Sequence, residues 1–342
     1  MLFTHSLGNG QKWGAVAILF TALTLAFTAC KKEDSAPPTV QTITEQINTN
    51  SKFTLLKAAL AKSGLDVTLG SAGTYTLLAP TDDAFKAFGL SSEAVIGLAP
   101  AELVKSVMQY HVLGTKLESS AIPSAINSPQ QTQFPLGSVY FSKPVAVTTS
   151  AGSTTTVSVN GAHVLENGTQ ASNGIIYPID RILLPPVYGD IPTTISQIPT
   201  IYALLAPTAG VSFKLLQQAV AKVGTGISSA LTATGPLTVF APTDNAFKAS
   251  GFDSTAIAKA PVATLAAVLS YHVLNNNRAY TPILTNGSSL TTLQGGTITV
   301  GTSTTATTVT GKSNGGTASN IIGPDVTASN GVIQIIDRLL LP

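Results

Sequence analysis

The run Leu77-Leu78-Ala79-Pro80-Thr81-Asp82-Asp83-Ala84-Phe85 decides the fold, because the chain writes it twice. Val239-Phe240-Ala241-Pro242-Thr243-Asp244-Asn245-Ala246-Phe247 repeats it 162 positions later. Each copy reads as a short apolar strand, ended by Pro80 or Pro242, followed at once by a helix. Thr81 and Thr243 suit the N-cap, where a side-chain oxygen accepts a free backbone N–H. Asp82, Asp83 and Asp244 favour the positive end of the helix dipole. Phe85 and Phe88 then enter the core. A catalytic carboxylate pair at Asp82-Asp83 is disfavoured, since general acid–base work needs both groups and Asn245 replaces the second in the other copy.

Outward from this run the duplication continues. Phe53-Thr54-Leu55-Leu56-Lys57 returns as Phe213-Lys214-Leu215-Leu216-Gln217 at an offset of 160, and Tyr110-His111-Val112-Leu113 as Tyr271-His272-Val273-Leu274 at 161. Ala171-Ser172-Asn173-Gly174 returns as Ala328-Ser329-Asn330-Gly331, and Asp180-Arg181 as Asp337-Arg338, both at 157. A drift of a few residues over such a distance means two tandem copies of one domain, residues 42–185 and 190–342. Pro185-Pro186 and Gly189 mark the junction, which is too short for two independent beads.

Each copy is expected to be α+β. Phe53, Leu56, Ala59 and Leu60 form a helical stripe that Phe213, Leu216 and Val220 repeat, and Gly64 and Gly224 are natural stops. A second helix is expected over residues 100–110, with Leu103, Val104, Val107, Met108 and His111 on one side. The Thr/Val/Gly-rich stretches 136–164 and 290–322 alternate like hairpin strands. Asn173-Gly174 and Asn330-Gly331 are expected to be two-residue hairpin turns.

Composition narrows the function. The chain has 342 residues, 18 Lys+Arg against 16 Asp+Glu, and a net charge of +2. Only 10% of residues are charged, against about 25% in an average soluble domain. Coiled coils and charged disordered tails need more, and a nucleic-acid binder needs a basic surplus. The single cysteine, Cys30, excludes an intrachain disulfide. It follows the uncharged residues 13–27, short of the about 20 residues of a membrane span and suited to a signal peptide. Thr28-Ala29-Cys30-Lys31 resembles a bacterial lipoprotein signal, which implies cleavage after residue 29 and acylation of Cys30. Residues 30–41, with Pro37-Pro38, then read as an extended tether. The expected location is outside the cytoplasm, on an outer-membrane lipid anchor, with display at the cell surface as one orientation.

The strand–Pro-Thr-Asp–helix run, the Tyr-His pair and the Asn-Gly…Ile-Asp-Arg…Leu-Leu-Pro ending, each present twice and in order, resemble the fasciclin domain over nearly the whole mature chain. The resemblance implies two tandem domains, each a compact β-sandwich or wedge with several packed helices. It also implies adhesion or matrix-binding roles without catalysis or a cofactor. In that family the Tyr-His neighbourhood is associated with adhesion, so Tyr110, His111, Tyr271 and His272 are candidate binding residues. Their position on an apolar helix face also fits hydrogen-bonded core histidines. A metal site is disfavoured, since zinc wants three or four close ligands and the chain has four histidines in all. Pro324-Asp325-Val326 stands where some animal fasciclin domains carry a Pro-Asp-Ile integrin motif, which makes Asp325 a further candidate. The plainer reading is an exposed acidic loop residue.

Residues 306–313, Ala-Thr-Thr-Val-Thr-Gly-Lys-Ser, fit the permissive form of a phosphate-binding loop. Asn314-Gly315-Gly316 follows where a helix is needed, so nucleotide binding is not expected. The expected partners are a membrane, through lipid on Cys30, and a matrix protein, envelope protein or polysaccharide. A periplasmic spacer is the alternative.

Overall fold

The computed structural model describes residues 40–144, 148–149, 152–153, 156–205, 211–303 and 305–342. The expectations for residues 1–29, for Cys30 and for the tether as far as Thr39 lie outside them. Residues Val40–Pro342 form one compact unit that holds both repeats.

In the first repeat the chain opens with α1 (Ile43–Thr49), whose capping box pairs Thr42 with Glu45. A short 3-10 turn leads into α2 (Thr54–Ser63), which Gly64 ends in the left-handed region at φ 71, and α3 (Leu65–Gly70) follows. Then come β1 (Tyr75–Pro80), α4 (Asp82–Ala87), α5 (Glu93–Leu98), α6 (Ala101–Tyr110) and β2 (Val112–Leu113). The rest is strand: β3 (Ser128–Gln131), β4 (Ser138–Ser142), β5 (Thr148–Thr149), β6 (Gly152–Ser153), β7 (Ser158–Val159), β8 (Ala162–His163), β9 (Thr169–Ala171) and β10 (Gly174–Ile179).

The second repeat follows the same plan. Its helices and first strands are α7 (Ile191–Leu205), α8 (Lys214–Val223), α9 (Thr225–Leu231), β11 (Leu237–Pro242), α10 (Asp244–Ala249), α11 (Ser254–Lys259), α12 (Val262–Tyr271) and β12 (Val273–Asn275). It closes with β13 (Ser289–Thr291), β14 (Thr297–Thr302), β15 (Thr307–Gly311), β16 (Ser319–Ala328) and β17 (Gly331–Ile336).

The first and last long strands of each repeat lie side by side and parallel, β1 on β10 and β11 on β17, through six residue pairs each. They are buried along almost their whole length, as central strands covered on both faces must be, which explains runs such as Leu77-Leu78-Ala79 with no polar alternation. Helices pack on one side, around Leu56, Leu60, Leu77, Phe85 and Met108 in the first repeat and Leu216, Val239, Phe247 and Leu269 in the second. On the other side the hairpin strands close a second core around Tyr110, Phe141 and Tyr177, or Tyr271, Ile298 and Val309.

The repeats differ in how these layers join. In the second, β16 runs on from β17 to β15, and one seven-stranded sheet of order β12-β11-β17-β16-β15-β14-β13 results. In the first, the corresponding stretch is divided between β8 and β9, and two four-stranded sheets form, β2-β1-β10-β9 and β3-β4-β7-β8. The long β16 carries register shifts on both sides of Gly323, and Asp325 within it has φ 63. That is a β-bulge with a non-glycine residue in the left-handed region, a conformation that needs outside support.

The expected hairpins are present, but their turns lie one residue earlier than read from the sequence. Ala171 pairs with Gly174 and Ala328 with Gly331, so the loops are Ser172-Asn173 and Ser329-Asn330. Gly174 and Gly331 are already strand residues. Their hydrogen side faces the neighbouring parallel strand so closely that a Cβ would stand 2.1 Å from the Tyr75 or Leu237 carbonyl oxygen. Glycine is required there for approach, not for turn geometry.

Candidate functional site

α6 and α12 stop at the tyrosine of each Tyr-His pair, and the histidine forms the C-cap. The His111 Nδ1–H donates to the Val107 carbonyl at 2.7 Å, and the Leu183 N–H donates to Nε2 at 3.0 Å. His272 repeats this with Val268 at 2.7 Å and Leu340 at 2.9 Å. Each ring is therefore a neutral tautomer that ties a helix end to the segment after the closing strand. The His111 and His272 carbonyls also accept from Leu78 and Phe240 in the central strands, at 2.9 Å each. Burial pushes both imidazoles down from 6.5 to about 4, against the hydrogen bonds to Val107 and Val268.

Tyr110 is equally enclosed. Its hydroxyl donates to the Ser138 carbonyl at 2.9 Å and accepts from Asn160 Nδ2 at 2.7 Å, and its ring meets Phe134 edge-on at 6.1 Å. The Tyr271 hydroxyl donates to the Thr297 carbonyl and accepts from the Lys312 N–H at 3.0 Å. Exposure of the four residues lies between 0% and 2%. As a contact surface for a partner, the role carried by the family resemblance, they offer nothing accessible; they join helix, sheet and chain end.

The Pro-Thr-Asp motifs also tie distant pieces together. Thr81 and Thr243 cap α4 and α10 by accepting from Ala84 and Ala246 at 3.3 Å each. Asp82 and Asp244 do more than favour their own helices: each reaches the start of the earlier amphipathic helix, accepting from the Leu55 or Leu215 N–H at 2.8 Å. Pro80 and Pro242 close their strands opposite Ile179 and Ile336. Asn173 accepts from the Ile43 N–H at 2.9 Å and donates to the Leu69 and Ser71 carbonyls at 2.7 Å. Asn330 makes the same three bonds to Ile191, Leu231 and Ala233. These asparagines fasten α1 and α7 to their repeats, a role that turn propensity does not reveal.

The structure overturns the reading of Asp325 as an exposed loop residue. Its side chain is 1% exposed. Oδ2 pairs with Arg181 Nη1 of the first repeat at 2.6 Å and accepts from the Thr281 hydroxyl at 2.5 Å. Oδ1 accepts from the Thr281 N–H and from Gln334 Nε2, both at 2.8 Å. The turn at Gly161 of the first repeat comes so near that a Cβ there would meet the carboxylate at 2.3 Å. A cavity of about 390 Å³ opens beside this contact, lined by Phe88, Asp180, Arg181, Leu184, Ile198 and Val326 among others.

Residues 306–313 carry β15 and the turn after it; the Asn314 side chain there binds Leu339 and Leu341 at 2.8 Å each, tying down the chain end. Among the described residues no group of three or more His, Cys, Asp or Glu side chains is placed to hold a metal, and no helix is long and apolar enough to cross a membrane.

The chain is 29% identical over 149 residues to transforming growth factor-beta-induced protein ig-h3 of Sus scrofa, a match that covers 44% of this chain and 20% of that protein. It is 30% identical over 136 residues to the cell surface glycolipoprotein MPB83 of Mycobacterium bovis, covering 39% of this chain and 55% of the other. It therefore spans well under two thirds of the length of either relative. A solved FAS1 domain pair from the insect cell adhesion molecule fasciclin I aligns with 84% of this chain and 96% of its own, at 18% identity and a TM-score of 0.36. The Fasciclin domain model matches residues 51–185 and again 211–342, over both repeats and their paired motifs, and the chain belongs to the fasciclin domain family.

Proposed function

We propose that this chain is a lipid-anchored protein of the cell envelope or cell surface, whose two fasciclin domains bind a matrix protein, an envelope protein or a polysaccharide without catalysing a reaction. The observation that carries this reading is a tandem fasciclin pair that follows an N-terminal stretch resembling a bacterial lipoprotein signal, with Cys30 at the expected cleavage point. The cell-surface glycolipoprotein among its relatives supports the same combination of lipid and fasciclin domain. The low charge fits a partner recognised by shape and hydrogen bonds rather than by net electrostatic attraction.

The test has two arms. Cys30→Ser is expected to leave an uncleaved precursor and to abolish palmitate labelling; normal labelling of the serine variant defeats the anchor. Residues 35–342, immobilised, are expected to retain a component from envelope protein or glycan fractions, and failure with every fraction defeats the binding role. Protease treatment of intact cells distinguishes surface display, in which the protein is lost, from the periplasmic spacer, in which it is protected.

A further inference from the structure

We infer that the Asp325 carboxylate is a built latch between the two domains, and that residues 40–342 act as one rigid body rather than as two domains on a hinge. The internal duplication supplies the control, since each latch residue can be compared with its counterpart in the other copy.

In the first domain Tyr177 sits in β10 opposite Leu78, and its hydroxyl donates to the Leu117 carbonyl at 2.8 Å, with Ser119 beside it at 3.1 Å. Gln334 holds the same register opposite Phe240, and its Nε2 donates to the Ala279 carbonyl, also at 2.8 Å. Up to this point the copies do the same thing. A carboxamide, however, has capacity that a single hydroxyl lacks. Gln334 Oε1 accepts from the Asp325 N–H at 2.9 Å while Nε2 reaches Oδ1, so one side chain grips both backbone and carboxylate of the bulge. Thr281, at the position of Ser119, gives Asp325 two further bonds.

The first domain has Asn167-Gly168-Thr169 where the second has Pro324-Asp325-Val326, and its strand is interrupted there. What the second domain gains is a carboxylate held by its own residues and still facing Arg181 of the first. The first domain answers with features of its own. Phe88 lines the cavity beside the latch, where the second domain has Ser250 at the equivalent place. Gly161 leaves room that no side chain could share with Asp325. Further along the same contact, Asn127 Nδ2 donates to the Arg278 carbonyl at 2.9 Å, and the Arg278 guanidinium lies 4.2 Å from the centre of the Tyr140 ring. A carboxylate buried in a left-handed bulge is tolerated only where the surroundings satisfy it, and here one of its partners belongs to the other domain.

The test uses residues 31–342, which hold the whole compact unit and no cysteine. Lys57→Cys and Lys248→Cys, both exposed and one in each domain, carry spin labels for pulsed distance measurement. The parent is expected to give a single narrow distance distribution. Arg181→Ala, which removes a side chain one-third exposed on the first domain, is expected to broaden it several-fold while circular dichroism stays native. Asp325→Asn is expected to do the same, and Arg181→Gln serves if either variant unfolds. A broad distribution in the parent, or an unchanged width in folded Arg181→Ala or Arg181→Gln protein, overturns the latch.

Discussion

Acid is expected to unfold this protein through its two buried histidines, and the size of the effect follows from their surroundings. His111 and His272 are fully enclosed, and each accepts a backbone N–H on Nε2 that a protonated ring would repel. Their native values lie at about 4, against 6.5 for a solvated imidazole. Above pH 6.5 both rings are neutral in both states and their contribution is fully present. As pH falls from 6.5 towards 4 the unfolded chain takes up protons that the native chain refuses, so stability falls with pH in that window. At about 1.4 kcal/mol per pH unit for one proton, the loss comes to about 3 kcal/mol per histidine. The two together reach the lower end of a typical stability of about 5–15 kcal/mol. The assay is the urea midpoint of residues 31–342 between pH 7 and pH 4, compared with His111→Gln. The variant is expected to be less stable at pH 7, and its deficit to shrink by about 3 kcal/mol by pH 4, because glutamine has no proton to take up. Carboxylates titrate in both proteins and cancel in the difference. A deficit that stays constant from pH 7 to pH 4 refutes the reasoning and means that the ring is reached by solvent or already charged.

Other substitutions test the joints around the helices and strands. Asn173→Ala removes the partner of Ile43, Leu69 and Ser71 at once and is expected to cost about 2–4 kcal/mol in chemical denaturation, with α1 losing its hydrogen-exchange protection first. Gly331→Ala forces β11 and β17 apart and is expected to lower the melting temperature by far more than an alanine at the open Gly226, a helix position where the added methyl meets nothing. Thr243→Ala removes one cap bond and is expected to cost about 1 kcal/mol, a loss that Thr243→Ser should largely restore.

What the sequence determined by itself is local or periodic. The duplication, the strand-to-helix turn at Pro80-Thr81, the stripe of Phe53, Leu56 and Leu60, and the stops at Gly64 and Gly224 follow from spacing and capping chemistry within a few residues. They were enough to define two α+β repeats and to place His111 and His272 on a buried face. The tertiary structure decided the partners of the polar residues. Asn173 looks like a turn residue because turn propensity concerns its neighbours, whereas the groups that it binds lie 102 to 130 positions away. Gly174 looks like the second residue of that turn, although its requirement comes from a parallel strand that nothing nearby encodes. Asp325 looks like an exposed loop acid because a Pro-Asp pair after glycine suggests surface. Only the fold brings Gln334 from the next strand, Thr281 from a 3-10 turn 44 positions back and Arg181 from the other domain to one carboxylate. Hydrophobic burial has a period that sequence displays, whereas a buried hydrogen bond depends on two groups meeting in space.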